Sequence, residues 1–248
     1  MTDLPLSNRI ALVTGASRGI GRSAALAMAA AGAHIVAVAR TPGSLEALDD
    51  EIRALTGQPA TLVPMDIAEG NGIDQLGMAI HERFGRLDIL VHAASILGPM
   101  TPVGHIEPKD WDRIVAVNLT ASYRLIRSVE PLLRVSEHPR AIFLTSGRAI
   151  RPKAFWGPYG VTKAGLEHLV RTWADELEQT KVRAVLLDPS VMRTRMRAEA
   201  MPGEDPATLP DPLEIGPLIL ELAQLDLGLP TASVVFSDWK TAGTLASA

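Results

Sequence analysis

Short apolar runs recur along the chain, separated by longer stretches whose apolar positions fall three and four residues apart. Ile10–Val13, Ala33–Ala39, Ala60–Met65, Leu87–Val91, Ala141–Thr145, Val182–Leu187 and Ala232–Phe236 have strand length and few charges. Such largely apolar strands predict burial on both faces. Between them, helical spacing predicts helices over Arg22–Ala31, Leu45–Leu55, Ile73–Phe84, Trp111–Leu133, Val161–Glu178 and Gly216–Leu225. Ser44, closing the turn Thr41-Pro42-Gly43-Ser44, is the expected N-cap of the second helix. Val115, Leu119, Ile126 and Val129 are candidate core positions of the fourth. Strands alternating with helices predict an α/β fold: one doubly wound (Rossmann) parallel sheet with helices on both faces. The strand ends at residues 14, 40, 66, 92, 146 and 188 then share one carboxyl edge, where such folds place their chemistry.

Composition narrows the class. At 248 residues, 47% hydrophobic and 21% charged, the chain reads as a single globular domain, 1–248, with no internal repeat or linker. A formal net charge of −4 argues against nucleic acid as a partner. Without cysteine, disulfides and thiolate metal sites are excluded. No apolar run approaches the roughly 20 residues of a membrane span, and Met1–Arg9 lacks a signal-peptide core. A cytoplasmic location with no membrane partner is the expectation.

Candidate chemistry begins at Thr14-Gly15-Ala16-Ser17-Arg18-Gly19-Ile20-Gly21, between a strand and a helix. Glycines there permit a tight turn whose amides, with the helix N-terminus, can hold a pyrophosphate; a merely structural turn is the alternative. An NAD reader places a carboxylate at the end of the second strand, to bind a ribose hydroxyl. Here that strand ends Ala39-Arg40-Thr41, and Arg40 with Arg18 could pair with a 2′-phosphate, which favours NADP over NAD. Asp66, at the end of the third strand, could accept from an adenine amino group or cap the next helix. Asn118 sits inside a predicted helix, where its competition with the backbone invites a functional reading.

Ser146 follows the fifth strand, and Tyr159 and Lys163 stand four apart on one face of the helix that follows. An ammonium near a phenol favours phenolate, pulling the Tyr pKa down from about 10, and a phenol so tuned can exchange a proton with a carbinol or carbonyl. The spacing alone fits an ordinary surface pair as well. The segment Val191–Pro212, rich in Pro and acidic residues, is expected to be an irregular mobile lid.

Taken together, Thr14–Gly21, Asp66, Asn118, Ser146 thirteen residues before Tyr159, Lys163, and Asp188-Pro189-Ser190 with Thr194 resemble the classical short-chain dehydrogenase/reductase family over almost the whole chain. The resemblance implies an NAD(P)-dependent enzyme acting on a carbonyl or secondary alcohol, with a cofactor half at about residues 1–140 and a substrate loop at about 190–212. It implies Tyr159 as general acid/base, Lys163 holding the nicotinamide ribose and lowering the Tyr pKa, Ser146 binding the substrate oxygen, and Asn118 anchoring a proton-relay water. Cofactor contacts are implied for Gly15, Ser17, Arg18, Gly19, Ile20, Gly21, Arg40, Asp66, Ile67, Ala93, Tyr159, Lys163, Pro189, Val191 and Thr194. A homodimer or homotetramer is implied through the helices at Trp111–Leu133 and Val161–Glu178, where Leu166, Leu169, Val170, Trp173 and Leu177 cover more than one face.

Three positions depart from the family pattern. His92-Ala93-Ala94-Ser95 stands where Asn-Asn-Ala-Gly is usual, Ser190 where Gly is usual, and the C-terminus lacks the usual Gly-rich ending. His92 could replace the first Asn by hydrogen bonding. The His-Ala-Ala-Ser turn and the lead-in Ala154–Tyr159 look closer to a bacterial subgroup of largely unassigned oxidoreductases. The substrate pocket is expected between Ser95–Met100, Ala149–Trp156 and Ser190–Met201, apolar in character. Arg148, Arg151 and Lys153 could read an anion or form a solvated loop. A non-catalytic NADP-binding sensor of the same fold is the alternative function, motivated by the His92 and Ser190 departures. An isomerase or dehydratase is a third reading.

Overall fold

The computed structural model describes residues 4–224, 231–243 and 245. The strands are β1 (Ile10–Thr14), β2 (His34–Ala39), β3 (Thr61–Pro64), β4 (Ile89–His92), β5 (Arg140–Leu144), β6 (Arg183–Asp188) and β7 (Thr231–Val235). They form one seven-stranded parallel sheet in the order β3-β2-β1-β4-β5-β6-β7. The order reverses between β1 and β4, which opens a crevice at their carboxyl ends. The register sets Thr14 beside His92 there.

Alternation along each strand feeds two cores. Ala11, Val13, Ile35, Ala37, Ile89 and Val91 face the layer containing α1 (Gly19–Ala30), α2 (Pro42–Thr56) and α8 (Gly216–Gln224). Leu12, Val36, Val38, Leu90, Phe143 and Leu186 face the layer of α3 (Gly70–Phe84), α5 (Ala121–Val135) and α6 (Gly157–Glu176). Phe143, fully buried with its edge near Trp173, contributes on the order of 1.5–3 kcal/mol by area alone. α1 packs closely because small residues, Ala24, Ala25 and Ala29, face the sheet.

Several boundaries differ from expectation. α2 starts at Pro42 with Thr41 as N-cap, because proline's fixed φ suits a first helical turn; Ser44 therefore lies inside the helix. The expected helix Trp111–Leu133 is α4 (Pro108–Val115), a π turn (Ala116–Thr120) and α5. α6 begins at Gly157, so Tyr159 and Lys163 are both within it. The segment after β6 carries α7 (Arg195–Ala200) and two short 3-10 turns. Leu225, the expected end of α8, lies outside the described residues. Leu166, Val170 and Trp173 of α6, with Leu177 just beyond its end, are buried within the chain itself, so their pattern is core packing and carries no argument for an interface. Among the described residues, no helix is long and apolar enough to cross a membrane.

Candidate active site

A cleft of about 650 Å³ runs along the carboxyl edge of the sheet from Arg40 and Asp66 to Leu213. At one end is the turn between β1 and α1. An added Cβ on Gly15, whose φ is +69°, would fall 2.8 Å from the Ala94 backbone nitrogen, and one on Gly21 only 2.3 Å from the Gly15 carbonyl oxygen. No larger side chain fits either place, so turn, helix start and β4 loop close on one another. The first turn of α1 carries no acidic residue and no side-chain cap, and Gly19, Ile20 and Gly21 line the cleft. Uncapped helix N–H groups suit an anion. Arg18 and Arg40 line the same end, and among the described residues neither makes an ion pair. This donor set fits a phosphorylated dinucleotide.

Asp66 lines the cleft but does not cap the helix that follows. Its Oδ1 accepts from the Ala68 backbone N–H at 2.9 Å, and its Oδ2 pairs with Arg113 of α4. The helix it was expected to cap is preceded by Glu69. Burial works to raise its pKa, but the Ala68 and Arg113 bonds outweigh it and hold the carboxyl below the usual range, so Asp66 is anionic at the cleft rim. Arg113 was not singled out in the sequence, because it looks like any cation on an amphipathic helix.

The other end holds Ser146, Tyr159 and Lys163. Tyr159 is 7% exposed, with its ring edge against Trp156 at 5.7 Å between centroids. Lys163 is 4% exposed, and its Nζ donates to the Leu144 carbonyl at 2.7 Å and lies 5.7 Å from the centre of the Tyr159 ring. The expected depression of the phenol pKa is absent. Burial pushes Tyr159 up to about 12, with the Asp188 charge acting the same way and the Ser146 hydrogen bond opposing. Burial brings Lys163 down to about 8, against Asp188. Desolvation outweighs proximity because the ammonium is aimed at a carbonyl rather than at the phenol oxygen.

Every residue expected to touch the cofactor lines the cleft: Gly15, Ser17, Arg18, Gly19, Ile20, Gly21, Arg40, Asp66, Ile67, Ala93, Tyr159, Lys163, Pro189, Val191 and Thr194. Ser146 does too, but Asn118 stands behind the wall, 1% exposed. Its Oδ1 accepts from Ile96 N at 2.9 Å, and its Nδ2 donates to Ile96 O at 2.9 Å and Thr162 Oγ1 at 3.2 Å. It thus ties the β4 loop to α6. His92 is buried between Thr14 Oγ1 (2.8 Å) and Ser122 Oγ (2.9 Å). Thr14 and Ser122 were given no role from sequence, although Ser122 is one helical turn from Asn118. Ser190 has a φ of +59°, the region that favours the family's Gly; its N–H is held by Asp188 Oδ1 and its Oγ accepts from Ser237 N.

The substrate side differs from the one foreseen. Ser95–Gly98, Trp156, Ser190–Arg197, Glu199, Ala200 and Asp211–Leu213 line it, whereas Pro99, Met100 and Ala149–Phe155 do not. Arg148 lies over Trp156 and Arg151 beside Gly147, and neither they nor Lys153 enter the cleft. The lid arginines are matched within the lid: Arg193 with Asp211, Arg195 with Glu199, Arg197 with Glu204. Thr194 caps α7 by accepting from Arg197 N. These contacts give the segment an ordered form where irregular chain was expected.

The family model for short chain dehydrogenases matches residues 9–205. The uncharacterized oxidoreductase YciK of Escherichia coli K12 is 35% identical over 88% of this chain and 86% of its own length. A short chain dehydrogenase structure from Pseudomonas syringae superposes with a TM-score of 0.89 at 38% identity, over 93% of this chain and 96% of that one. One from Shigella flexneri, solved with NADP, gives 0.90 at 32% identity over 96% of this chain and all of that one (100%). With this cleft, this strand order and these relatives, the chain belongs to the short chain dehydrogenase family of oxidoreductases.

Proposed function

We propose that the protein is an NADP-dependent oxidoreductase that interconverts a carbonyl and a secondary alcohol, with Tyr159 as the general acid/base. The observation that carries this reading is the meeting, in one cleft, of partly buried Ser146 and buried Tyr159 and Lys163 with the glycine turn, Arg18 and Arg40. The NADP complex of the Shigella flexneri relative supports the choice of cofactor. Gly15 to Gly21 would hold the pyrophosphate, Arg18 and Arg40 the 2′-phosphate, and Tyr159 and Lys163 the nicotinamide ribose. The bound nicotinamide supplies or accepts the hydride. The chain's own work is orientation and proton transfer. The Ser146 hydroxyl hydrogen-bonds the substrate oxygen, and Tyr159 gives that oxygen a proton in the reductive direction. A phenol held near 12 is fully protonated at neutral pH, the form that reduction needs. Trp156 against Tyr159 keeps bulk water from the proton donor.

The sensor alternative loses its motivation: His92 bridges two hydroxyls where the family Asn would stand, and Ser190 takes up the left-handed turn. Titration of tryptophan fluorescence tests the cofactor assignment. NADPH should bind more tightly than NADH, and Arg40→Ala should weaken NADPH by roughly tenfold or more, the loss of a charge-assisted hydrogen bond, with NADH unaffected. Equal binding of both nucleotides to the wild type would remove the phosphate-reading role.

A further inference from the structure

His92 is the one departure from the family pattern that lies at the heart of the fold, 2% exposed between the two halves of the site. Its surroundings fix its protons by counting. Ser122 Oγ donates to the Asn118 carbonyl at 3.1 Å, which uses its only hydrogen, so towards His92 Nε2 it must accept. Nε2 therefore carries the ring hydrogen, and in a neutral imidazole Nδ1 is then a bare acceptor. Thr14 Oγ1 must donate to Nδ1 and is left free to accept the Ala94 backbone N–H at 3.3 Å. The opposite tautomer would break the Ser122 bond to Asn118 and leave the Thr14 hydrogen without an acceptor.

The other groups against the ring bear on its charge rather than its tautomer. Phe143 of β5 presents its ring at 5.7 Å in an edge-on arrangement, and the charge of Lys163 on α6 opposes an imidazolium. Burial, with that charge, brings the His92 pKa down to about 3, so the ring is neutral throughout the working range of most proteins.

We propose that His92 is a positioning residue, held as the Nε2–H tautomer in a directed chain from the Ala94 amide through Thr14, His92 and Ser122 to the Asn118 carbonyl. The chain joins the two halves of the site. At one end Ala94 is the backbone against which Gly15 packs, in the turn assigned to the pyrophosphate. At the other, Asn118 holds both Ile96 and Thr162, one residue before Lys163. Two hydroxyls and one imidazole thus set the distance between the cofactor turn and the catalytic helix. The cofactor part of this inference rests on the NADP reading above; the tautomer part does not.

The test uses the full chain labelled with ¹⁵N-histidine; six histidines are present, and His92→Gln assigns the signal. The expected spectrum shows a protonated Nε2 and a bare Nδ1 for His92, unchanged from pH 8 to pH 5. In Ser122→Ala the tautomer preference relaxes, and Ser122→Thr, which keeps the hydroxyl, restores it. Ser122 is buried in α5 and does not line the cleft. Even so, Ser122→Ala should weaken NADPH binding roughly three- to tenfold, the worth of one hydrogen bond. The double variant with His92→Phe should lose less than the two single losses combined, as coupled neighbours do. A His92 that titrates near 6.5, or a bare Nε2, overturns the tautomer assignment. A Ser122→Ala protein that binds NADPH like wild type, or strictly additive losses, overturns the coupling. Failure of wild type to bind NADPH would sink the cofactor reading and leave the spectrum to judge the tautomer alone.

Discussion

A lysine with 4% exposure weakens the fold that holds it, and the direction of that effect can be worked out. The folded-state pKa of Lys163 is brought from 10.5 down to about 8. Between those values the unfolded chain binds the proton and the folded one does not, so stability rises with pH across that window. Below about pH 8 the cost is complete, on the order of 3 kcal/mol. Lys163→Met removes the titration. The variant's stability relative to wild type should therefore fall by about 2 kcal/mol between pH 7 and pH 10 in urea unfolding; parallel curves for the two proteins would contradict the assignment. Tyr159 adds no slope here, because its raised pKa acts only above pH 10. The spacing of Tyr159 and Lys163 made their meeting legible in the sequence. Their pKa values were not, since they depend on how deeply Trp156 and the β5 end bury them and on the charge of Asp188, and spacing says nothing of either.

At the scale of elements, the two features that shape the cleft are a turn too tight for side chains and a helix with a π turn inside it. Gly21 faces the Gly15 carbonyl at a distance no Cβ could tolerate, whereas Gly43 in the first turn of α2 has nothing within 4 Å of the place its Cβ would occupy. The same substitution should thus act oppositely at the two sites. Gly21→Ala is expected to cost about 1–3 kcal/mol, as overpacking does, and to weaken nucleotide binding. Gly43→Ala should stabilise by about 0.5–1 kcal/mol, the usual helix preference for Ala over Gly. Thermal denaturation of both variants gives the comparison, and a shift in the same direction for the two would refute the packing argument. The tight turn was readable from Gly15, Gly19 and Gly21 between an apolar strand and an Ala-rich helix. The π turn over Ala116–Thr120 was not. Hydrophobic spacing runs through it with little change, and only Asn118, a poor fit for a helix interior, marked the place.

For the molecule as a whole, the short apolar runs and their alternation with helices were enough to give the parallel sheet, its two covered faces and the carboxyl edge that collects the functional side chains. Details that depend on partners distant in sequence stayed hidden: Arg113 on Asp66, Ser122 on His92, and Arg193 on Asp211 in the lid. The central claim is that this edge is a redox site whose proton passes through Tyr159. Its most direct test is NADPH oxidation by wild type and Tyr159→Phe over a panel of ketones and diketones, with NADPH binding followed in parallel by fluorescence. The account predicts wild-type turnover on at least one carbonyl, and a loss of roughly 100-fold or more in the variant while NADPH still binds. A variant that reduces the same carbonyl at the wild-type rate, or a wild type that binds NADPH and reduces none of them, would contradict it.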